Sequence, residues 1–160
     1  MMLRVILLAG LLGCGGSTES IAKPCTAQAF TEDLANWREV KQVAKPGTKA
    51  QAFGECGRLD GFDYSVEPGD GWWIQREIPV RKGLPVYLQA RFTGAFGKRY
   101  ATIQTPSGAV LGYAEGDGIV TAQAVAVGSD VLLRAGVVAD PGKTTGGTME
   151  QVKVWFGATP

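Results

Sequence analysis

The 160 residues contain no histidine, so proton transfer at neutral pH would have to rest on other side chains, and serine or cysteine triads of the ordinary type are excluded. Carboxylate-pair glycoside hydrolysis stays open, because it needs only two acids at the right separation. Glu67, Asp70, Glu77 and Glu115 are the candidates, most of them in turn-like sequence where acids commonly serve solubility. A second constellation is Asp60, Asp63, Glu67 and Asp70, four carboxylates within the run DGFDYSVEPGD. Calcium takes six to eight oxygens from flexible acid-rich loops, so a structural ion here is the one cofactor the chain suggests, with a solvated acidic loop as the alternative. A third set mixes aromatic rings with planar polar groups: Trp73 and Gln75, then Tyr87, Gln89 and Arg91, then Lys153 and Trp155. Sugars stack their C–H faces on rings while amides and guanidinium groups take their hydroxyls, so this mixture suits a glycan platform. The competing reading packs the same rings under loops or a second layer.

Strands must position these groups. Val86, Leu88, Ala90 and Phe92 alternate with Tyr87, Gln89, Arg91 and Thr93, the pattern of a strand with one face in a core and the other wet. Trp72, Ile74, Ile78 and Val80 alternate in the same way with Trp73, Gln75 and Glu77, interrupted at Arg76. Further strands are expected at about 99–105, 109–114, 119–127, 131–138 and 149–156, separated by turn sequences rich in the chain's 23 glycines. Short strands at near-regular spacing predict an all-β fold, an antiparallel sandwich resembling a jelly roll. Near the start, Thr31–Gln42 reads either as a short helix capped by Thr31 or as a loop leading into a strand, since Trp37, Glu39, Lys41 and Val43 also alternate.

The first residues carry an address. Arg4, the apolar run Val5–Leu12 and the small residue before Cys14 in LLGC resemble the signal peptide and lipobox of a bacterial lipoprotein. The run is too short for a membrane-spanning helix, which needs about 20 apolar residues. The resemblance implies cleavage of residues 1–13, lipid on Cys14, and a chain anchored to the membrane without crossing it. Gly15 in place of an acid after the cysteine implies the outer membrane of the cell envelope. Residues 14–24 have tether composition, and 25–160 form one domain of ordinary size.

With 16 basic and 15 acidic side chains, and Arg4 removed with the signal, the mature chain is balanced. No basic field is present to hold nucleic acid, nor a basic stripe to add membrane affinity. Cys25 and Cys56 are then left over in a chain bound for an oxidising compartment, which makes a disulfide the natural pairing and two free thiols the alternative.

Phe30-Thr31-Glu32-Asp33-Leu34-Ala35-Asn36-Trp37 is similar to the opening of lectin-like β-sandwich domains, and the strands around TPSG resemble carbohydrate-binding modules of the jelly-roll type. That resemblance implies a non-catalytic binding domain. Glycan is the favoured ligand, an envelope protein docked on the aromatic face is the rival, and a small carboxylate hydrolase is the third reading.

Overall fold

A computed structural model describes residues 32–54 and 58–157. The residues expected to form a signal peptide and tether, with Cys14, Cys25 and Cys56, lie outside the described residues. The described residues fold into ten strands: β1 (Arg38–Lys41), β2 (Lys49–Phe53), β3 (Gly61–Val66), β4 (Gly71–Pro79), β5 (Pro85–Phe92), β6 (Lys98–Gln104), β7 (Val110–Glu115), β8 (Ile119–Val125), β9 (Asp130–Val138) and β10 (Thr145–Phe156). They form two antiparallel five-stranded sheets with orders β1-β4-β9-β6-β7 and β2-β3-β10-β5-β8. This is the expected jelly-roll-like sandwich, and its two-residue period explains why. Inward side chains such as Trp72, Ile74, Leu88, Leu133 and Val137 are fully buried between the layers, while their sequence neighbours point away from the core.

Three local expectations are corrected. Residues 32–42 are not an α-helix: a single 3-10 turn, Leu34–Asn36, is followed by β1. Its cap is Asp33, whose carboxylate accepts from the Ala35 amide at 3.0 Å and the Leu59 amide at 3.3 Å. The alternation of the loop-plus-strand reading prevails because β1 lies against β4, with Arg38 opposite Gln75 and Val40 opposite Trp73. The acidic run 60–70 is not a continuous loop, since β3 occupies Gly61–Val66 with Phe62, Tyr64 and Val66 in the core. The last strand, expected at 149–156, starts earlier, because β10 begins at Thr145. Gly147 belongs to that strand because the Thr93 carbonyl would lie 2.1 Å from any Cβ placed there.

A bulge reshapes β10. Gln151 has φ 52° and the register with β5 shifts between Glu150 and Lys153. The extra residue lets Met149 and Val152, three apart, both face the core, and it sends Lys153 and Trp155 outward.

Candidate functional site

The two sheets turn their outer faces in opposite directions, and this divides the ring-and-amide set. Trp73 and Gln75 are on β4, in the first sheet, whereas Tyr87, Gln89 and Arg91 on β5 and Trp155 on β10 are in the second. A single platform carrying Trp73, Tyr87 and Trp155 therefore does not exist. Alternation tells inside from outside but not which of two sheets a strand joins.

On the second sheet, Tyr87 and Trp155 lie opposite one another across β5 and β10, with ring centroids 5.2 Å apart and planes 4° from parallel. Gln89 is engaged with Thr121 at 2.9 Å, and Arg91 is exposed at the next outward position. Tyr87 is only 6% exposed. Its ring faces are already covered, which leaves little for a sugar to stack on.

The first sheet assembles a different set. Strand register places Trp73, Gly136, Tyr100 and Glu115 in one row across β4, β9, β6 and β7, and Arg38, Gln75, Arg134, Thr102 and Tyr113 in the next. Gly136 is required between Trp73 and Tyr100, because a Cβ there would stand 2.3 Å from the Trp73 Cβ. Gln75 organises the centre: its Oε1 accepts from the Trp73 indole at 3.2 Å and from Arg134 Nε at 3.0 Å, and the guanidinium lies 5.5 Å from the centre of the Trp73 ring. Tyr100 and Tyr113 stack with centroids 6.4 Å apart, and Tyr113, 54% exposed, offers its ring to solvent. Along β6, Gln104 donates to Thr102 at 3.2 Å, and its Oε1 is buried without a partner.

Sequence reasoning missed Tyr100, Thr102, Gln104, Tyr113, Arg134 and Gly136. The signal was present for β6, where Tyr100, Thr102 and Gln104 alternate with the core residues Ala101 and Ile103.

The phenol of Tyr113 donates to the Glu115 carboxylate. That hydrogen bond, with partial burial and the charge of Glu115, pushes the Tyr113 pKa up to about 12. Burial likewise raises Tyr100, with the Arg134 charge acting against it. Both rings are neutral donors at physiological pH. Glu115→Gln is expected to lower the Tyr113 pKa from about 12 toward the ordinary phenol value, with the part due to burial remaining. A spectrophotometric titration compared with Tyr113→Phe checks this, and an unmoved Tyr113 midpoint would remove Glu115 as the cause.

The acidic candidates scatter. Asp60 pairs with Arg58 at 2.6 Å, and Asp63 is exposed on the outer side of β3. Glu67 follows β3, and Asp70 is fully buried. Among the described residues no three or more Cys, Asp or Glu side chains converge as metal ligands, so the four-carboxylate cluster is not assembled. Asp70 is committed elsewhere: its carboxylate accepts from the amides of Val43 at 2.7 Å, Gly71 at 2.8 Å and Lys45 at 3.2 Å. Glu77 and Glu115 share the first sheet's outer face but stand on β4 and β7, three strand spacings or about 14 Å apart before any offset along the strands. The carboxylates of an inverting glycosidase lie about 6.5–9.5 Å apart.

No family model matches the chain, and no curated protein matches it in sequence. Solved structures share its architecture. The carbohydrate-binding module TmCBM61, solved in complex with beta-1,4-galactotriose, is 12% identical with a TM-score of 0.51, the alignment covering 77% of this chain and 90% of that one. The enzymatically active domain of bacteriophage CBA120 tailspike protein 4 is 13% identical with a TM-score of 0.52; 78% of this chain aligns with 20% of that longer one. At these identities the likeness is one of fold.

Proposed function

We propose that this protein is a non-catalytic, lipid-anchored module that binds glycan on the outer face of the β1-β4-β9-β6-β7 sheet. The observation that carries the reading is the band from Trp73 through Arg134 and Tyr100 to the exposed ring of Tyr113. Rings for C–H faces and fixed polar groups for hydroxyls are what a sugar needs. The fold shared with a module solved with galactotriose supports the same ligand class. The absence of histidine from the sequence and the wide separation of Glu77 from Glu115 favour binding over hydrolysis. A glycan-array screen of the full chain tests the reading. Capture of sugars, lost in Tyr113→Ala, supports it, whereas no capture by a folded protein returns the face to the protein-partner reading.

Anchoring rests on the lipobox at Leu11–Cys14. Among the described residues no helix is long and apolar enough to cross a membrane. Cys14→Ser is expected to yield an unprocessed or soluble species on cell fractionation. Membrane-bound protein of mature size in that variant would exclude lipid on Cys14 as the anchor.

A further inference from the structure

Arg134 is the half-buried cation at the centre of the band, and its surroundings differ from those of its charged neighbours. Glu115 is engaged by Tyr113. Elsewhere, Arg58, Arg76 and Arg99 each pair with an acid, at Asp60, Glu32 and Asp117. Among the described residues no carboxylate lies within 4.0 Å of Arg134. Its hydrogen bond to Gln75 uses Nε alone, and the Trp73 ring holds the guanidinium plane from the side. The two terminal nitrogens therefore keep both their charge and their donors, in the planar fork that matches a carboxylate with two parallel hydrogen bonds.

The other charges on this face reinforce the point. Arg38, on β1, stands opposite Gln75, and Lys98 is exposed on β6 two residues before Tyr100. Among the described residues Glu77 is the one acid on the face not already bound by a neighbour, and it sits toward the opposite end of β4, opposite Leu132. An unpaired arginine in a partly dehydrated position is a standing cost to the fold, and an anionic ligand group relieves it.

We propose that this face selects glycans whose sugars carry carboxylates, with Arg134 as the residue that reads the acid. The inference rests on the glycan-binding reading above and adds the ligand's charge. Trp73 and Tyr113 take the apolar faces of the sugars, and the Arg134 fork takes a carboxylate. Uronic and sialic acids both provide that chemistry.

Calorimetric titration of the detergent-solubilised full chain with tetragalacturonate, sialyllactose, galactotetraose and lactose separates the cases. At least one acidic ligand should bind about tenfold or more tighter than its neutral counterpart at low salt. That advantage should shrink in high salt, and Arg134→Gln should abolish it, bringing the acidic ligand down to whatever affinity the variant shows for the neutral sugar. Arg134→Lys keeps the charge without the fork and should lose most of the preference. Thermal melts of both variants identify any loss that comes from unfolding. Neutral sugars bound as tightly as acidic ones, or a preference that survives Arg134→Gln, overturn the acid selectivity and leave glycan binding standing. No binding of any of the four by folded protein counts against the glycan reading itself, and the acid preference falls with it.

Discussion

Asp70→Ala is expected to destabilise the domain by about 3–5 kcal/mol, the largest effect of any substitution outside the apolar core. The carboxylate joins three segments: the Val43 and Lys45 amides after β1, the Thr48 hydroxyl before β2, and the Gly71 amide opening β4. The Asp70 backbone carbonyl also accepts from the Ala139 amide at 3.0 Å, which ties the end of β9 to the same corner. Alanine leaves these donors facing a void, and each buried donor without a partner costs about 1–3 kcal/mol. Burial raises the Asp70 pKa, but the hydrogen bonds from Thr48, Val43, Gly71 and Lys45 outweigh it and hold the carboxyl below its ordinary value. The sign for stability follows. A carboxyl with a lowered folded-state pKa contributes stability that is fully present above the unfolded value near 3.9 and is lost as pH falls through the lower folded value. Urea unfolding at pH 7 and near pH 3 should therefore show Asp70→Ala far weaker than wild type at neutral pH, with the gap narrowing in acid. Asp70→Asn, which retains one acceptor oxygen, should fall between them. A gap independent of pH would mean that the carboxylate charge is not what holds the corner.

How far the sequence foretells this molecule depends on which interaction decides each feature. Residues 86–92 announce β5, because a strand with one buried face writes its period directly into its side chains. β3 is hidden by the same rule: its outward residues Asp63 and Ser65 stand among other acids and glycines, and the stretch imitates a loop. Asp70 looks like one more solvated carboxylate, although it is fully buried. Its role comes from amides up to 27 residues earlier, which no local pattern encodes. The division of Trp73 from Trp155 has a similar origin. Both read as aromatic residues at outward positions, yet β4 pairs with β1 and β9 while β10 pairs with β3 and β5. Arg134 reaches Gln75 across a separation of 59 residues. Partner choice among strands is a long-range property, and the candidate face depends on it more than on any single strand.

Tyr113→Ala is expected to weaken glycan binding by about 2 kcal/mol, or roughly 30-fold, while leaving the melting temperature nearly unchanged. The ring is 54% exposed on β7, an edge strand, so little buried area is lost with it. Its contacts are the stack on Tyr100 and the bond to Glu115, both at the surface of the same face. Tyr87→Ala on the opposite sheet should behave in the reverse manner. That ring is 6% exposed and stacked on Trp155, and removing it should cost stability of about 3 kcal/mol or more while leaving affinity intact. Melts and titrations of the two variants therefore separate the faces without a structure of the complex. A Tyr87→Ala protein that melts like wild type but no longer binds would move the site to the second sheet. A Tyr113→Ala protein that binds as before would mean that the exposed ring of the first sheet does not touch the ligand, and the band from Trp73 to Tyr113 would then lose its claim to be the binding face.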